Sequence, residues 1–424
     1  MRHLSFPQGI TRQSLVDWFR QGRARSREIF AIPKPEMYYE RPILLRNPIV
    51  FYEGHLPAFT VNTLLKLALK EPGVDPDYEV LFERGIDPDS IDAAKPTSDQ
   101  WPSRREVQAY GAEAERRIER ALCNGIIEDD RVPQLRGAEA AIAILEHEQM
   151  HQETLLYMFH EMPYDKKTPR PPINPRRAAG GGWRVGSGAV KIPAGEATLG
   201  AGDHFAWDNE FPQHRVEVPA FEIDRYKVTN GDYLDYVRVT GAEPPHFWTR
   251  RNGEWYWRGM FELIPLPLDA PVYVTQEEGT AFARWRGARV PTEAEYHRAA
   301  FSTPSGEERL FPWGNEPPDS SRGNFGFSNW DPVAVGSYPE GASAWGVHDL
   351  VGNGWEWTST VFAGFEGFQP MASYPNYSAD FFDGQHYVLK GASPATAPEL
   401  VRRSFRNWFR PNYPYVYATF RCAV

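Results

Sequence analysis

The spacing of apolar side chains changes period near residue 165. Before that point hydrophobic residues recur at helical intervals. One helix is predicted over about 11–31, with Leu15, Trp18 and Phe19 on its apolar face. A second follows Pro57 and carries Phe59, Leu64, Leu65, Leu67 and Leu69. A third opens at Ser103-Arg104-Arg105-Glu106, a capping box, and runs towards Cys123. A fourth covers Gly137 to Met162. Four such helices suit a bundle. The Asp- and Pro-rich stretch 71–102 reads as an extended loop bordering its interior. After Val190 the texture becomes short strands, turns and many aromatics, with residues 190–200 opening this part and 214–223 alternating as a strand should. Helices are expected there over 275–286 and from Thr292-Glu293-Ala294-Glu295, and helix is otherwise sparse. The Pro- and Gly-rich stretch between the halves reads as a linker, and no internal repeat is present. The expected architecture is a two-domain α+β protein. Residues 1–165 form a helical bundle, 166–188 a linker, and 189–424 an irregular α+β domain dominated by loops.

The fourth helix contains His147-Glu148-Gln149-Met150-His151-Gln152-Glu153. His147 and His151 are four apart and share a face with Ile144, Leu155 and Met158. Two imidazoles on a core-facing stripe suit a metal ion; the bland alternative is a pair of hydrogen-bonded core histidines. Glu153 lies about 200° around the helix from His151, so it is not expected to ligate with them and better supports a neighbour by hydrogen bonding. His55 is the candidate third ligand. It sits in Gly54-His55-Leu56-Pro57-Ala58-Phe59, which reads as a helix start with Pro57 near the first helical position.

Composition narrows the function classes. The 424-residue chain is 41% hydrophobic, and 46 basic against 56 acidic residues leave a net charge of −10. That excess of acid argues against nucleic-acid or anionic membrane-surface binding. No apolar run reaches transmembrane length. The opening Met1-Arg2-His3-Leu4-Ser5-Phe6-Pro7 lacks a signal-peptide apolar core. Two cysteines, Cys123 and Cys422, make no disulfide framework. A cytoplasmic enzyme, monomeric or a small homo-oligomer, fits these features. Gly180-Gly181-Gly182 lacks the Lys-Ser/Thr of a phosphate loop and reads as linker.

Several segments of the second half carry a resemblance: Tyr226-Lys227-Val228-Thr229-Asn230, Arg289 to Tyr296, Phe311-Pro312-Trp313-Gly314-Asn315, Asp349 to Thr358, and Val388 to Ser393. Their order and spacing resemble the formylglycine-generating-enzyme-like (sulfatase-modifying-factor, C-type-lectin-like) fold. The first half resembles a DinB-like four-helix bundle, where a three-histidine metal site is typical. Together they resemble the EgtB family of ergothioneine-pathway sulfoxide synthases. The resemblance implies Fe(II) held by His55, His147 and His151. It implies consumption of O2 and joining of a thiol to C2 of the imidazole of hercynine, with oxidation to a sulfoxide. It also assigns Asn407 and Trp408, in Phe405-Arg406-Asn407-Trp408, to holding hercynine. Hercynine's quaternary ammonium suits aromatic faces and carboxylates, each contact worth roughly 0.5–2 kcal/mol. The C-terminal aromatics can supply such faces, or pack the domain's core.

Other positions depart from the family pattern. One branch grips γ-glutamylcysteine with an arginine-rich loop; here Leu81 to Asp92 holds one arginine among many acids. Another branch uses cysteine and places tyrosines in that loop; here no tyrosine lies between Tyr78 and Tyr110, and Phe362 stands in a C-terminal loop that can carry one. The proton-donor candidates are therefore Tyr413, Tyr415 and Tyr417. Met150 narrows the polar contacts near the metal and, with Arg406, joins the substrate-binding candidates. Structural ion pairs are the alternative fate of Arg402, Arg403, Arg406 and Arg410. The expected donor is cysteine or a selenosugar, as in the related selenoneine synthases, rather than γ-glutamylcysteine. Two other readings compete: a formylglycine-generating oxidase, which needs paired reactive cysteines, and a non-catalytic metal- or ligand-binding module, whose structural zinc would want four closed ligands.

Overall fold

The computed structural model describes residues 10–83, 101–171 and 188–424. The opening heptapeptide, most of the acidic stretch Leu81 to Asp92 and the triple-glycine linker lie outside these residues. The chain divides into two compact units. The first comprises Met1–Arg170 together with Asp203–Phe205 and Pro370–Pro375; the second comprises Pro171–Gly202, Ala206–Gln369 and Asn376–Val424. The break at Arg170 falls inside the stretch read as linker. The recruitment of two short pieces of the later chain into the first unit has no counterpart in the sequence reading.

The first unit is helical: α1 (Arg12–Ile29), α2 (Ile49–Thr60), α3 (Pro76–Leu81), α4 (Arg104–Asn124) and α5 (Glu139–His160). Thr11 caps α1 and Ser103 caps α4, each through a capping box. α1 packs on α4 and α5, and α2 packs on α4 and α5. Leu15, Phe19, Leu64, Leu65, Ile118, Leu122 and Ile144 form its core, with Phe205 and Tyr374 packed against it. α5 is buried on almost every face. On the side facing α1, its Glu148 accepts from Arg23 Nη1 at 2.9 Å and Ser26 Oγ at 2.6 Å, and Gln152 Nε2 donates to Gly22 O at 2.9 Å.

Two expectations need correction here. α2 begins at Ile49, with Pro48 as its N-cap, and Pro57 lies inside it. His55 is therefore a mid-helix residue rather than one at a helix start. Pro57 has no N–H to give Glu53 O, yet the helix continues because Phe51, Tyr52, Leu56 and Phe59 bury around it. It then widens into a π-helical segment over Val61–Ala68, a form that recurs at functional sites. The stretch 71–102 is not wholly loop: α3 forms within it, its first turn capped by Asp75, which accepts from Asp77 N and Tyr78 N.

The second unit holds β1 (Ala189–Ile192), β2 (Gly195–Leu199), β3 (His214–Val218), β4 (Phe221–Asp224), α6 (Asn230–Thr240), β5 (Trp248–Arg251), β6 (Glu254–Arg258), β7 (Leu263–Pro265), α7 (Gln276–Trp285), α8 (Glu293–Phe301), β8 (Trp355–Val361), β9 (Tyr387–Lys390), β10 (Asn407–Phe409) and β11 (Ala418–Thr419). β1 pairs with β4 and β2 with β3, and β5-β6-β7 form a meander. The fourth sheet runs β10-β9-β8-β11, antiparallel except for the parallel β8–β11 pair. The stretch 214–223 is two strands because Pro219 interrupts the ladder. α7 and α8 fall where expected. α6 was not expected, although its Thr229–Asp232 capping box is a local signal. The turn before β8 needs its glycines: a Cβ on Gly352 (φ +92°) would lie 2.7 Å from Asn324 N, and one on Gly354 (φ +124°) 2.8 Å from the Tyr273 ring.

Buried ion pairs tie the loops of this unit together. Glu356 takes a bidentate pair of bonds from Arg421 at 2.6 and 2.7 Å. Arg402 pairs with Glu210, which also accepts from Ser404 Oγ at 2.7 Å. Arg406 Nε donates to Glu293 at 3.0 Å.

Candidate metal centre

His55, His147 and His151 converge in the first unit, with one ring nitrogen from each within 4.8 Å of the others. The i,i+4 spacing on α5 puts His147 and His151 side by side, their ring centroids 4.4 Å apart. α2 brings His55 to 5.1 Å from His147 and 5.0 Å from His151, centroid to centroid. His55 and His147 are buried, and His151 is partly so. Phenylalanines back two of the rings. Phe59 stacks on His147 at 3.5 Å and 10°, and Phe51 on His55 at 5.1 Å and 16°. Glu153 is buried and is not part of the cluster, as its position on the helix predicts.

Electrostatics keep these imidazoles neutral. Burial pushes His55 down to about 4, against a small opposing effect of its bond to Phe82. Burial holds His147 far below its ordinary value, helped by the neighbouring His151 and His55. Burial does the same for His151, helped by His55 and Arg46. Neutral imidazoles keep their lone pairs for a metal. His55 Nδ1 lies 2.8 Å from Phe82 O, so that nitrogen carries the proton and Nε2 keeps a free lone pair for a metal. Nδ1 of His147 and Nδ1 of His151 are buried without a hydrogen-bond partner among the described residues. Inert core histidines would be hydrogen-bonded. The donor set therefore fits a metal ion and fits poorly with the core-pair alternative.

A phenol stands beside the triad that the sequence reading missed. Tyr374, half-buried in the Pro370–Pro375 piece of the first unit, has its ring 6.3 Å from His147 and 5.1 Å from Phe59. Ser373 N anchors that piece by donating to Glu139 Oε1 at 2.7 Å, at the start of α5. The available signal is the long irregular connection between β8 and β9, rich in aromatics; such loops are often functional.

The remaining candidates are placed as follows. Met150 is half-buried beside His151 on α5. Asn407 and Trp408 open β10 in the second unit, and Asn407 Oδ1 accepts from Trp408 N. Trp408 stacks on Phe362 at 4.3 Å and 8°, with Tyr377 at 5.2 Å and Phe381 at 5.6 Å around it. Tyr417 is buried between Phe247 and Tyr273, the packing role left open for these aromatics. Tyr413 stacks on Phe409, and Tyr415 lies against His246. Arg406 is 3% exposed. Its guanidinium meets Glu293, Asn209 O and Ala363 O, with the Phe365 ring 4.2 Å away. That is the ion-pair alternative rather than an open substrate contact.

Residues 184–424 match the sulfatase-modifying factor enzyme 1-like domain. The chain is 35% identical over 309 residues to the hercynine oxygenase of Mycolicibacterium smegmatis, covering 66% of this chain and 70% of that protein. It is 31% identical over 487 residues to ergothioneine biosynthesis protein 1 of Neurospora crassa, covering 91% of this chain. The match spans 54% of that relative, so the chain corresponds to about half its length. Similarity to the formylglycine-generating enzyme of Bos taurus, 30% over 219 residues, covers 40% of this chain.

Proposed function

The chain belongs to the EgtB-type family of hercynine oxygenases, and we propose that it joins a chalcogen donor to C2 of the hercynine imidazole in a non-heme Fe(II)- and O2-dependent reaction. The product is a sulfoxide or its selenium analogue on the route to ergothioneine or selenoneine. The observation that carries this reading is the buried cluster of three neutral histidines. Its helices correspond, in this proposal, to a DinB-like bundle.

His55, His147 and His151 would hold the metal. With three protein ligands only, a bound ion would stay accessible to small-molecule substrates. Bound there, Fe(II) supplies the redox chemistry that consumes O2 and favours the thiolate or selenolate form of the donor. The protein supplies orientation and dryness. Phe51 and Phe59 fix two imidazole planes and exclude water. Tyr374 supplies a proton from Oη, a role for which its place beside His147 suits it better than the packing of Tyr417 does. Asn407 and the Trp408 face hold hercynine, whose quaternary ammonium suits an aromatic surface.

The donor in this proposal is cysteine or a selenosugar. The support is the single arginine among the acids of Leu81 to Asp92, a poor grip for the extra carboxylate of γ-glutamylcysteine. The oxidase alternative lacks its paired thiols. Cys123 and Cys422 lie in different units, and burial pushes Cys422 up to about 12.

The test is direct. Protein purified without oxygen and loaded with Fe(II) is given hercynine, O2 and one donor at a time: cysteine, γ-glutamylcysteine or a selenosugar. Mass spectrometry is expected to show a C–S or C–Se adduct with the first or third. Faster turnover with γ-glutamylcysteine would overturn the donor assignment. No adduct with any donor, despite bound iron, would remove hercynine as the acceptor.

A further inference from the structure

Among the three histidines, His55 alone has a hydrogen-bond partner for Nδ1 among the described residues, and that partner is a backbone carbonyl brought from outside its own helix. Phe82 is the C-cap of α3, and its carbonyl belongs to the last-turn set that a helix leaves unsatisfied. A six-residue helix holds no fixed position by itself. Its position is set by Glu79, which is 2% exposed. Glu79 Oε1 accepts from Val74 N at 2.6 Å and Asp75 N at 3.1 Å. Glu79 Oε2 accepts from Lys66 Nζ at 2.9 Å, and Glu79 O from Asn62 Nδ2 at 3.2 Å. Lys66 and Asn62 belong to the π segment that continues α2. The bonds therefore close a ring: His55 to Phe82 O, through α3 to Glu79, across to Lys66 and Asn62, and back along α2.

Two glycines let the ring close tightly. A Cβ on Gly54 would lie 2.5 Å from the Phe82 ring, and one on Gly73 2.3 Å from the Glu79 carboxylate. Phe82 cannot give way easily. It is fully buried, with Trp101 stacked at 6.0 Å and 18° and Tyr78 edge-on at 5.7 Å.

We propose that Glu79 and Gly54 are positioning residues for the metal: they hold the Phe82 carbonyl against His55 Nδ1, and so fix which nitrogen of His55 faces the ion and in what plane. The proposal rests on the triad being a metal centre. Its chemistry is ordinary, because an outer carbonyl that locks a ligand's tautomer raises its basicity and removes the freedom it would lose on binding.

The test uses Co(II) as a spectroscopic probe on the full-length, metal-free protein, with substrate absent. Glu79→Gln and Gly54→Ala are each expected to weaken Co(II) binding by roughly 10- to 100-fold. In both, the Nδ1–H resonance of His55, hydrogen-bonded to Phe82 O in the metal-free protein, should shift or vanish. Gly54→Ala combined with Phe82→Leu restores room for the backbone, so Co(II) affinity should recover toward wild type even though a core ring is lost. Leu122→Ala, in the same core, controls for plain destabilisation and should leave affinity unchanged. Wild-type affinity and an unchanged Nδ1–H signal in folded Glu79→Gln and Gly54→Ala would overturn the proposal and leave the triad standing. Wild-type protein that binds no Co(II) would overturn both.

Discussion

Replacing Arg406 separates a structural guanidinium from a substrate contact. Its Nε donates to Glu293 at 3.0 Å, and Nη1 donates to Asn209 O and Ala363 O, each at 2.9 Å. The side chains of the pair are 2% and 3% exposed. Arg406→Met keeps much of the volume and removes all three bonds. Breaking a buried pair by deleting one partner costs about 3–5 kcal/mol. Lys390 Nζ, 3.7 Å from the same Glu293 oxygen, keeps that carboxylate from being stranded, which favours the lower end, ~3 kcal/mol. The two carbonyls lose a charged donor and gain nothing. For a unit of this size ~3 kcal/mol corresponds to a fall of roughly 6–12 °C in melting temperature. Thermal and urea unfolding of Arg406→Met, Glu293→Gln and the double variant would measure it. The double variant should be less destabilised than the two singles added together, because the second change removes the charge the first exposed. Arg406→Lys should recover part of the loss: an ammonium can reach Glu293 but cannot fork to both carbonyls. Unchanged unfolding in Arg406→Met, with a raised KM for hercynine alone, would refute this reasoning and return Arg406 to the substrate site.

His147→Ala should abolish stoichiometric metal binding while the protein stays folded; unchanged metal content by elemental analysis would count against the triad. Tyr374→Phe should keep metal content and melting temperature and lower kcat by about 10²–10⁴-fold, the usual range for a lost general acid; a rate within twofold of wild type would reassign the proton donor. In metal-free protein His55 is held near 4 while an unfolded histidine titrates near 6.5, so the folded state binds fewer protons between these values. Its stability is therefore full above about 6.5 and falls as pH drops towards 4, and urea midpoints should show that slope diminished in His55→Phe.

What was legible in the chain was mostly what lies within one or two helical turns. The capping box at Ser103 and the Thr292–Glu295 opening marked the starts of α4 and α8, because each signal is only four residues long. Thr229 and Asp232 form the same kind of box at the start of α6, a shorter helix set among strands. Pro57 misled for a physical reason. Proline is favoured at a helix start, and only a strongly buried segment carries it inside one; the burial of Ile49 to Thr60 cannot be read from that segment alone, because it depends on what α4 and α5 present to it.

The site divides along the same line. The His147–His151 pair is written into one helix, and its geometry follows from 3.6 residues per turn. His55 could be nominated from its apolar surroundings, but its ring plane depends on Phe82 O, 27 residues away, and that carbonyl is set by Glu79. Tyr374 is further still: its approach to His147 depends on a six-residue piece of the later chain joining the first unit, anchored by Ser373 and Glu139, 234 positions apart. Nothing local to Ser373-Tyr374-Pro375 distinguishes it from Tyr413 to Tyr417, where aromatic density drew attention to residues that pack on Phe409, His246 and Phe247. Ligand type is thus a local property of this chain, whereas ligand orientation and the placing of a phenol beside the triad are properties of long-range contacts. Substitutions at Glu79 or Glu139, whose carboxylate accepts from Ser373 N, should disturb the centre while leaving every residue of the histidine motif in place.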